Sequence, residues 1–145
     1  MSRQTQAQNE VDSGEPATSI EVRVRYCECD PMGVAHHANF AVWFEMARTE
    51  LLRQQGVRYR DVEARGFYFV VARLNTRFRK PARYDDVISI HVQAPPVGGI
   101  KLDHRYTVRR DDGTLLATGE TTLVCVDANN RPTPVPAELT GQNGQ

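Results

Sequence analysis

The sequence predicts an α+β domain in which a curved antiparallel sheet is wrapped around one long central helix. Residues 39–55 carry the apolar pattern of a helix, one strand-like stretch precedes them, and four more follow. The first turns of this helix are apolar on every side, so other elements are expected to enclose it. Turn-forming residues separate the four later stretches, which predicts hairpins and therefore antiparallel neighbours.

The composition is that of one ordinary domain: the chain has 145 residues, and 18 Lys and Arg balance 18 Asp and Glu. Zero net charge argues against nucleic acid or an anionic membrane surface as a partner of the whole chain. No apolar run is long enough to span a bilayer, and no signal peptide is recognisable. We therefore expect a cytoplasmic protein without integral membrane contact.

The domain is expected to span residues 20–136. Residues 1–19 are rich in Gln, Ser, Glu and Gly and hold almost no large apolar side chain, which predicts a flexible tail. Three closely spaced prolines end the ordered part, and residues 137–145 are expected to form a second, C-terminal tail.

The first strand is expected at residues 20–26, where every second residue is apolar, and it leads directly to Asp30. The central helix follows, with Asn39 as its N-cap and Gly56 as the residue just beyond its end. A short polar segment at residues 59–64 is expected to form a second helix.

The four later strands are expected at residues 67–80, 87–94, 100–110 and 115–127. Proline with Asp-Asp, Pro-Pro with Gly-Gly, and Asp-Gly lie between them in that order. Consecutive hairpins would place these strands side by side in the order of the chain, as in a meander.

The residues between the first strand and the helix carry the candidate chemistry. Asp30 is followed by Gly33, which permits a tight turn, and by His36 and His37 directly before the helix. A carboxylate and an imidazole thereby reach the positive end of a helix, where backbone N–H groups can hold negative charge. The alternative is structural, because Asp commonly caps turns and a His before a helix can simply bond a carbonyl.

The spacing of histidines and cysteines argues against a metal site. Adjacent histidines rarely bind one metal together, and no H-E-x-x-H or H-x-H spacing accompanies them. Cys27 and Cys29 are expected to pack as small hydrophobic residues on one face of a strand. No metal is therefore predicted.

Several spaced residues together resemble a known family. The pattern reads Tyr26-x-Glu28-x-Asp30-x-x-Gly33-Val34-x-x-His37-x-x-Phe40-x-x-x-x-Glu45-x-x-Arg48, followed by Phe69-Val70-Val71 and Phe78-x-x-Pro81-Ala82-x-Tyr84-Asp85-Asp86-Val87. It resembles the 4-hydroxybenzoyl-CoA thioesterase branch of the hotdog-fold acyl-CoA thioesterases, and also the bacterial thioesterases associated with the Tol–Pal system. The resemblance covers about residues 20–136.

The resemblance implies a hotdog fold, an antiparallel sheet wrapped around a long helix. It implies that Asp30 is the catalytic carboxylate, and that Gly33 and His37 lie in the site. Backbone N–H groups near Tyr68 fall where the family contacts the thioester carbonyl. Phe69 belongs to a group of aromatic residues that either line an acyl pocket or pack in the core.

A mechanism follows from these positions. Attack on a thioester is limited by formation of the oxyanion, and N–H donors at the Asn39 helix start would stabilise it by roughly 3–4 kcal/mol each. Asp30 then acts either as a general base on water or as a nucleophile that forms a mixed anhydride. The sequence does not choose between these two routes.

A basic stretch at residues 73–83 is the candidate site for the phosphates of coenzyme A. Arg79, Lys80 and Arg83 are favoured because they approach a strand end and a turn, where guanidinium groups can make bidentate contacts. A solvated strand face explains the same residues equally well.

The leading hypothesis is an acyl-CoA thioesterase that needs no cofactor, coenzyme A being part of the substrate. The resemblance implies a homo-oligomer, at least a dimer and commonly a tetramer, with active sites at subunit interfaces. The alternatives are a hotdog dehydratase or hydratase, and a non-catalytic module that binds acyl-CoA or acyl carrier protein. The acyl group stays open, as does the choice between coenzyme A and acyl carrier protein as its carrier.

Overall fold

The computed structural model describes residues 14–139. Within them, the chain forms strands β1 (Ala17–Arg23), β2 (Tyr68–Phe78), β3 (Val87–Gln93), β4 (Lys101–Arg110) and β5 (Leu115–Val126), and helices α1 (Ala38–Gln54) and α2 (Tyr59–Ala64). Single 3₁₀ turns lie at Tyr26–Glu28 and Ala137–Leu139. None of the helices between residues 14 and 139 has the length and apolar character needed to cross a membrane.

The five strands form one antiparallel sheet in the order β1-β3-β4-β5-β2. The predicted hairpins between β3, β4 and β5 are confirmed, but the predicted pairing of β2 with β3 is wrong, because β2 pairs with β5 instead. The connection after β2 does not turn back as a hairpin. It packs against the segment before α1, where the Ala35 N–H donates to the Ala82 carbonyl at 2.7 Å and Val34 pairs with Arg83.

Helix α1 packs across one face of this sheet, as predicted. Its buried residues are Phe40, Trp43, Phe44, Ala47, Arg48, Leu51 and Leu52. The Phe44 ring stacks on Tyr106 of β4 with ring centroids 4.2 Å apart. Close approach also depends on Gly119 of β5, where a Cβ atom would lie 2.6 Å from the Phe44 ring. Helix and sheet are therefore in direct contact over the central strands.

The sheet of one chain does not enclose α1 completely, contrary to the prediction. Val42 and Met46 on its outer face keep 52% and 46% of their surface exposed. The neighbouring edge strand β2 also exposes large apolar side chains, namely Tyr68, Val70, Val71, Leu74 and Phe78. Unpaired edge strands of this length are templates for pairing with another chain.

Several predicted boundaries differ from the observed ones. Strand β1 begins at Ala17, three residues earlier than predicted, because Ala17 pairs with Gln93 of β3. It ends at Arg23, so Cys27 and Cys29 lie in and just after a 3₁₀ turn rather than in a strand. Cys27 is exposed as a result, and the prediction that it packs as a buried residue is wrong.

At the chain ends, residues 1–13 and 140–145 lie outside the described residues, so the tails predicted there are not tested. The 3₁₀ turn at Ala137–Leu139 falls inside the predicted C-terminal tail, and Leu139 is buried. Helix α2 matches its predicted bounds. Gly56 has φ +83°, the left-handed conformation expected just beyond the end of α1.

Candidate active site

The Asp30 loop, defined as residues 29–35, connects the first 3₁₀ turn to α1. Its two ends pair as a bridge between Cys29 and Ala35. Inside it, the Asp30 N–H donates to the Val34 carbonyl at 2.8 Å and the Gly33 N–H donates to the Asp30 carbonyl at 2.9 Å. Gly33 has φ +79°, which side chains rarely tolerate, so the predicted tight turn at this glycine is confirmed.

The Asp30 carboxylate is half-buried and hydrogen-bonded to its own loop. Its Oδ1 accepts a hydrogen bond from the Met32 N–H at 2.8 Å and a longer one from the Val34 N–H at 3.4 Å. Between residues 14 and 139, no hydrogen bond engages Oδ2. Asp30 thus caps its turn with one oxygen and presents the second to its surroundings.

The start of α1 differs from the prediction. Its N-cap is His37, not Asn39, and His37 already has helical backbone angles (φ −57°, ψ −30°). The Ala38 N–H donates to His36 Nδ1 at 3.1 Å, and the Asn39 N–H donates to the His36 carbonyl at 3.0 Å. The Asn39 N–H, predicted as an oxyanion donor, is therefore already engaged within the chain.

The two histidines lie at the surface beside the Asp30 loop. Their rings are stacked, with centroids 4.0 Å apart and planes inclined by 28°. Among the described residues, no hydrogen bond engages the backbone N–H of His37. No three His, Cys, Asp or Glu side chains within residues 14–139 are grouped as a metal site would require. An exposed imidazole and a backbone donor are thus available at the helix start.

Glu28, which the sequence reasoning did not single out, is buried two residues before Asp30. Only 5% of its surface is exposed. Its Oε1 accepts a hydrogen bond from the Arg25 N–H at 2.7 Å, and its Oε2 accepts one from Trp43 Nε1 at 3.2 Å. The available signal was the acidic residue at this point of the family pattern, but a sequence does not reveal that the carboxylate is buried.

The Asn39 side chain links the same elements. Its Nδ2 donates to the Glu28 carbonyl at 2.9 Å and to the His36 carbonyl at 3.1 Å. The His36 N–H also donates to the Glu28 carbonyl, at 2.7 Å. Asn39 therefore ties the helix start to both sides of the Asp30 loop instead of capping the helix.

The predicted phosphate-binding residues lie close to this end of the molecule. Arg79, Lys80 and Arg83 follow the end of β2, and all three side chains are exposed. The backbone bridge between Val34 and Arg83 places Arg83 directly beside the Asp30 loop. Within the described residues, the structure thus brings Asp30, Gly33, His37, Asn39 and Arg83 together.

Tyr68 and Phe69 do not join this group within one chain. They lie at the start of β2, whereas Phe78 at its end contacts Phe40 at the start of α1, with ring centroids 5.0 Å apart. Ten residue steps along a strand span about 33 Å. Phe69 packs instead against Tyr59 and lines a cavity of about 370 Å³ together with Arg48. The two groups of predicted site residues are therefore separated by the length of β2.

A second set of buried polar residues lies between α1 and the sheet, and we call Arg48, His104, Tyr106 and Thr121 the core polar cluster. The Tyr106 and Thr121 hydroxyls are 2.7 Å apart, but the Arg48 Nη1 bond to Tyr106 is long, at 3.4 Å. Both ring nitrogens of His104 and the Nε of Arg48 lack hydrogen-bond partners among the described residues. Burial, and secondarily the Arg48 charge, lower the pKa of His104 to about 4.

Comparisons with known proteins agree on one family. A family model described as Thioesterase-like superfamily matches residues 24–142. Acyl-CoA thioester hydrolase YbgC of Escherichia coli O6:H1 is 31% identical over 122 residues, which are 83% of this chain and 91% of that protein.

Two solved structures show the same likeness in three dimensions. The DHNA-CoA thioesterase from Staphylococcus aureus superposes with a TM-score of 0.79 at 29% identity, covering 81% of this chain and 80% of that one. The hypothetical protein TT1821 from Thermus thermophilus superposes with a TM-score of 0.80 at 37% identity, covering 85% of this chain and 94% of that one.

Proposed function

Because the chain belongs to the thioesterase-like superfamily, we propose that it is an acyl-CoA thioesterase that uses the Asp30 carboxylate to hydrolyse its substrate. The products are a free acid and coenzyme A. The five-stranded sheet around one long helix is the hotdog fold of the thioesterase that it superposes on. Of the functions that the sequence leaves open, the family favours the hydrolase over the dehydratase and the non-catalytic module.

The observation that carries the assignment of the site is the second oxygen of Asp30. The loop holds Oδ1 with two N–H donors and so orients the carboxylate. No group within residues 14–139 hydrogen-bonds Oδ2, and the side chain is only half-buried. An oriented carboxylate with one oxygen open to a substrate is what either proposed route requires.

Hydrolysis by Asp30 proceeds along one of two routes. As a general base, Asp30 takes a proton from water while the water oxygen bonds to the thioester carbon, and the C–S bond then breaks to release the thiolate. As a nucleophile, Asp30 bonds to that carbon and expels the thiolate, and water then cleaves the mixed anhydride. Both routes use only water and the carboxylate, so we propose no metal or redox cofactor.

We assign the carbonyl oxygen of the substrate to the surroundings of His37. The backbone N–H of His37 has no hydrogen-bond partner among the described residues, whereas the next N–H groups of the helix start do. The exposed imidazole of His37 lies at the same point and orients the thioester. This replaces the Asn39 N–H as the expected oxyanion donor, because Asn39 is already hydrogen-bonded.

Arg79, Lys80 and Arg83 are proposed to hold the phosphates of coenzyme A. They are exposed at the mouth of the site, and the bridge between Val34 and Arg83 keeps this basic turn beside the Asp30 loop. Exposed guanidinium groups suit this role because they bind phosphate in a bidentate manner without losing a buried partner.

A second copy of the chain is proposed to complete the site by pairing along β2. A two-fold axis perpendicular to β2 pairs this strand with the same strand of the partner and makes the two antiparallel. Phe78 lies at the helix start of one subunit, so this pairing brings Tyr68 and Phe69 of the partner subunit towards Asp30. It also covers the apolar surface of β2, where Phe78 is 54% exposed. A tetramer stays a prediction.

The test is a panel of acyl-CoA and acyl-carrier-protein thioesters with thiol release monitored, run on the wild type and on Asp30→Asn. We expect turnover by the wild type and a loss of about 10²- to 10⁴-fold in Asp30→Asn, the range for removal of a positioned acid or base. Absence of turnover on every thioester would refute the function. Undiminished turnover in Asp30→Asn would refute the site.

A further inference from the structure

Burial of the Glu28 carboxylate destabilises the fold unless the charge is paired and hydrogen-bonded, because transfer of a charge out of water is unfavourable. It is 5% exposed and therefore cannot contact a substrate directly. Both of its oxygens are nevertheless satisfied, by the Arg25 N–H and by Trp43 Nε1, and Arg25 Nε lies 3.3 Å from Oε1. The charge is thus paired and oriented with two separate donors.

These two donors lie on different elements of the fold. Arg25 precedes the 3₁₀ turn at the end of β1, whereas Trp43 lies on α1 and is 1% exposed in the core. The Glu28 carboxylate therefore bridges the chain that enters the Asp30 loop and the helix that follows it. A side chain with a single hydrogen-bonding atom could not make both bonds.

The backbone of Glu28 closes the same loop from the other side. Its carbonyl accepts the His36 N–H at 2.7 Å and the Asn39 side chain at 2.9 Å. One residue thus holds the entry of the Asp30 loop, its exit and the second turn of α1 together. Among residues 14–139, Asp30 itself is hydrogen-bonded only within its loop, so the position of that loop relative to α1 depends on these contacts.

We propose that Glu28 is a positioning residue that fixes the Asp30 carboxylate relative to the start of α1 through its hydrogen bond to Trp43. The inference rests on the proposed function, in which Asp30 acts on a thioester whose carbonyl lies at His37. Small displacements of a reacting group are expensive, since about 1 Å of misplacement can cost about 10²-fold in rate. Glu28 therefore acts on the rate of the chemical step and not on substrate binding.

The test variant is Glu28→Gln, which keeps the shape of the side chain but replaces one acceptor oxygen with an NH₂ donor. Both neighbours are donors, so the amide satisfies only one of them. We expect kcat per folded enzyme to fall by about 10- to 100-fold while KM changes by less than about threefold. Circular dichroism at the assay temperature measures the folded fraction.

Glu50→Gln is the matched control. Glu50 lies on α1 with Trp43 and, like Glu28, pairs with an arginine, here Arg53, but it is distant in sequence from the helix start, and among the described residues it makes no hydrogen bond or ion pair with the Asp30 loop. The control loses the same charge, and we expect its kcat to equal that of the wild type. A general effect of losing an acidic residue would lower both variants alike.

Trp43→Phe is the second variant; it keeps an aromatic ring but removes the N–H donor together with the second ring of the indole, which is buried in the core. We expect a smaller loss of kcat, about 3- to 10-fold, and less than additive loss when it is combined with Glu28→Gln, because both changes break one shared contact. If Glu28→Gln does not fold, Trp43→Phe decides: an unchanged kcat overturns the proposal.

The outcomes separate this inference from the proposed function. A wild type that hydrolyses no thioester refutes both. An active wild type with an inactive Asp30→Asn and an unchanged kcat in Glu28→Gln refutes the role of Glu28 alone. A Glu28→Gln variant that raises KM and keeps kcat also contradicts positioning, because it would place Glu28 in substrate binding.

Discussion

The Asp30 loop and the core polar cluster both remove polar groups from water, yet they satisfy them very differently. Beside the loop, Glu28 uses both carboxylate oxygens, and within the loop the N–H groups of Asp30, Gly33 and Ala35 donate to carbonyls of the chain at 2.7–2.9 Å. In the cluster, His104 has no hydrogen-bond partner on either ring nitrogen among the described residues, and Arg48 lies 3.4 Å from the Tyr106 hydroxyl and 3.7 Å from the Glu45 carboxylate.

The difference indicates that the two regions serve different purposes. A fully satisfied polar network is rigid and holds a group in one place, which chemistry at Asp30 requires. A buried imidazole without hydrogen-bond partners is not held in one place in this way, and its protonation destabilises the fold. Changes at the loop should therefore act on turnover, and changes at the cluster on stability.

The largest effect is expected from Asp30→Asn, for which both activity and stability are measured. We expect kcat/KM to fall by about 10³-fold, equivalent to about 4 kcal/mol in the barrier, because the carboxylate is the reacting group. The free energy of unfolding should change by less than about 1 kcal/mol, since the amide oxygen can still accept from the Met32 N–H. Urea titration beside the kinetic assay checks both. A large loss of stability would contradict the expectation that changes at the loop act on turnover and not on stability.

The next largest effect is acid sensitivity of the cluster. His104 has its pKa lowered to about 4 from an ordinary value of 6.5, so the folded state favours the neutral ring. Above pH 6.5 the ring is neutral in both the folded and the unfolded state. Below that pH the unfolded state binds a proton more readily, so the free energy of unfolding falls, by about 3 kcal/mol at pH 4. Denaturant titrations at pH 7 and pH 4 measure it, with His104→Leu as the control that lacks the titrating ring. Equal pH dependence in both proteins would contradict the assignment.

A third prediction concerns the aromatic stack that supports the cluster. Gly119→Ala places a Cβ atom 2.6 Å from the Phe44 ring, which must move although it stacks on Tyr106. Overpacking of this kind typically costs about 2 kcal/mol. Thermal unfolding should show the loss, while kcat of the folded enzyme stays near the wild-type value. A variant with reduced kcat at full folding would mean that the core and the loop are coupled.

The smallest of the four expected effects is that of a change at Gly33 in the Asp30 loop. Gly33→Ala forces a side chain into a backbone conformation with φ +79°, at a cost of about 1 kcal/mol. Apart from the adjoining residues, no heavy atom of the described part of the chain lies within 4 Å of the added Cβ, so the strain is conformational. Because the strained loop carries Asp30, we expect kcat to fall more than stability would suggest. Gly56→Ala, at a similar φ beyond α1, is the matched control, which should lose stability but not kcat.

Much of the fold could be predicted because its signals are local. Helix α2 and the hairpins of β3, β4 and β5 follow from side-chain periodicity and short turns, which involve residues only a few positions apart. The N-cap was missed because Asn39, a good capping residue by type, uses its amide to bond the Glu28 and His36 carbonyls. These hydrogen bonds depend on the position of the 3₁₀ turn relative to α1, which no local sequence pattern predicts.

The candidate site could be predicted only in part for the same reason. Asp30, Gly33 and His37 are neighbours in sequence, so their proximity followed from the turn and the helix start. Tyr68 and Phe69 were expected in the same site, but one chain keeps them at the far end of β2. The predicted roles of these residues stay predictions, as does the oligomer that would bring them together.

By itself, the sequence determined the fold class, the family and the loop that carries Asp30, because spacing and residue type suffice for each. Only the tertiary structure decided that β2 lies on the outer edge of the sheet and that Glu28 is buried against Trp43. It also decided that the core polar cluster is poorly hydrogen-bonded. The physical reason is that edge position, burial and hydrogen-bond satisfaction depend on contacts between residues distant in the chain. Such contacts leave no periodic trace in the sequence.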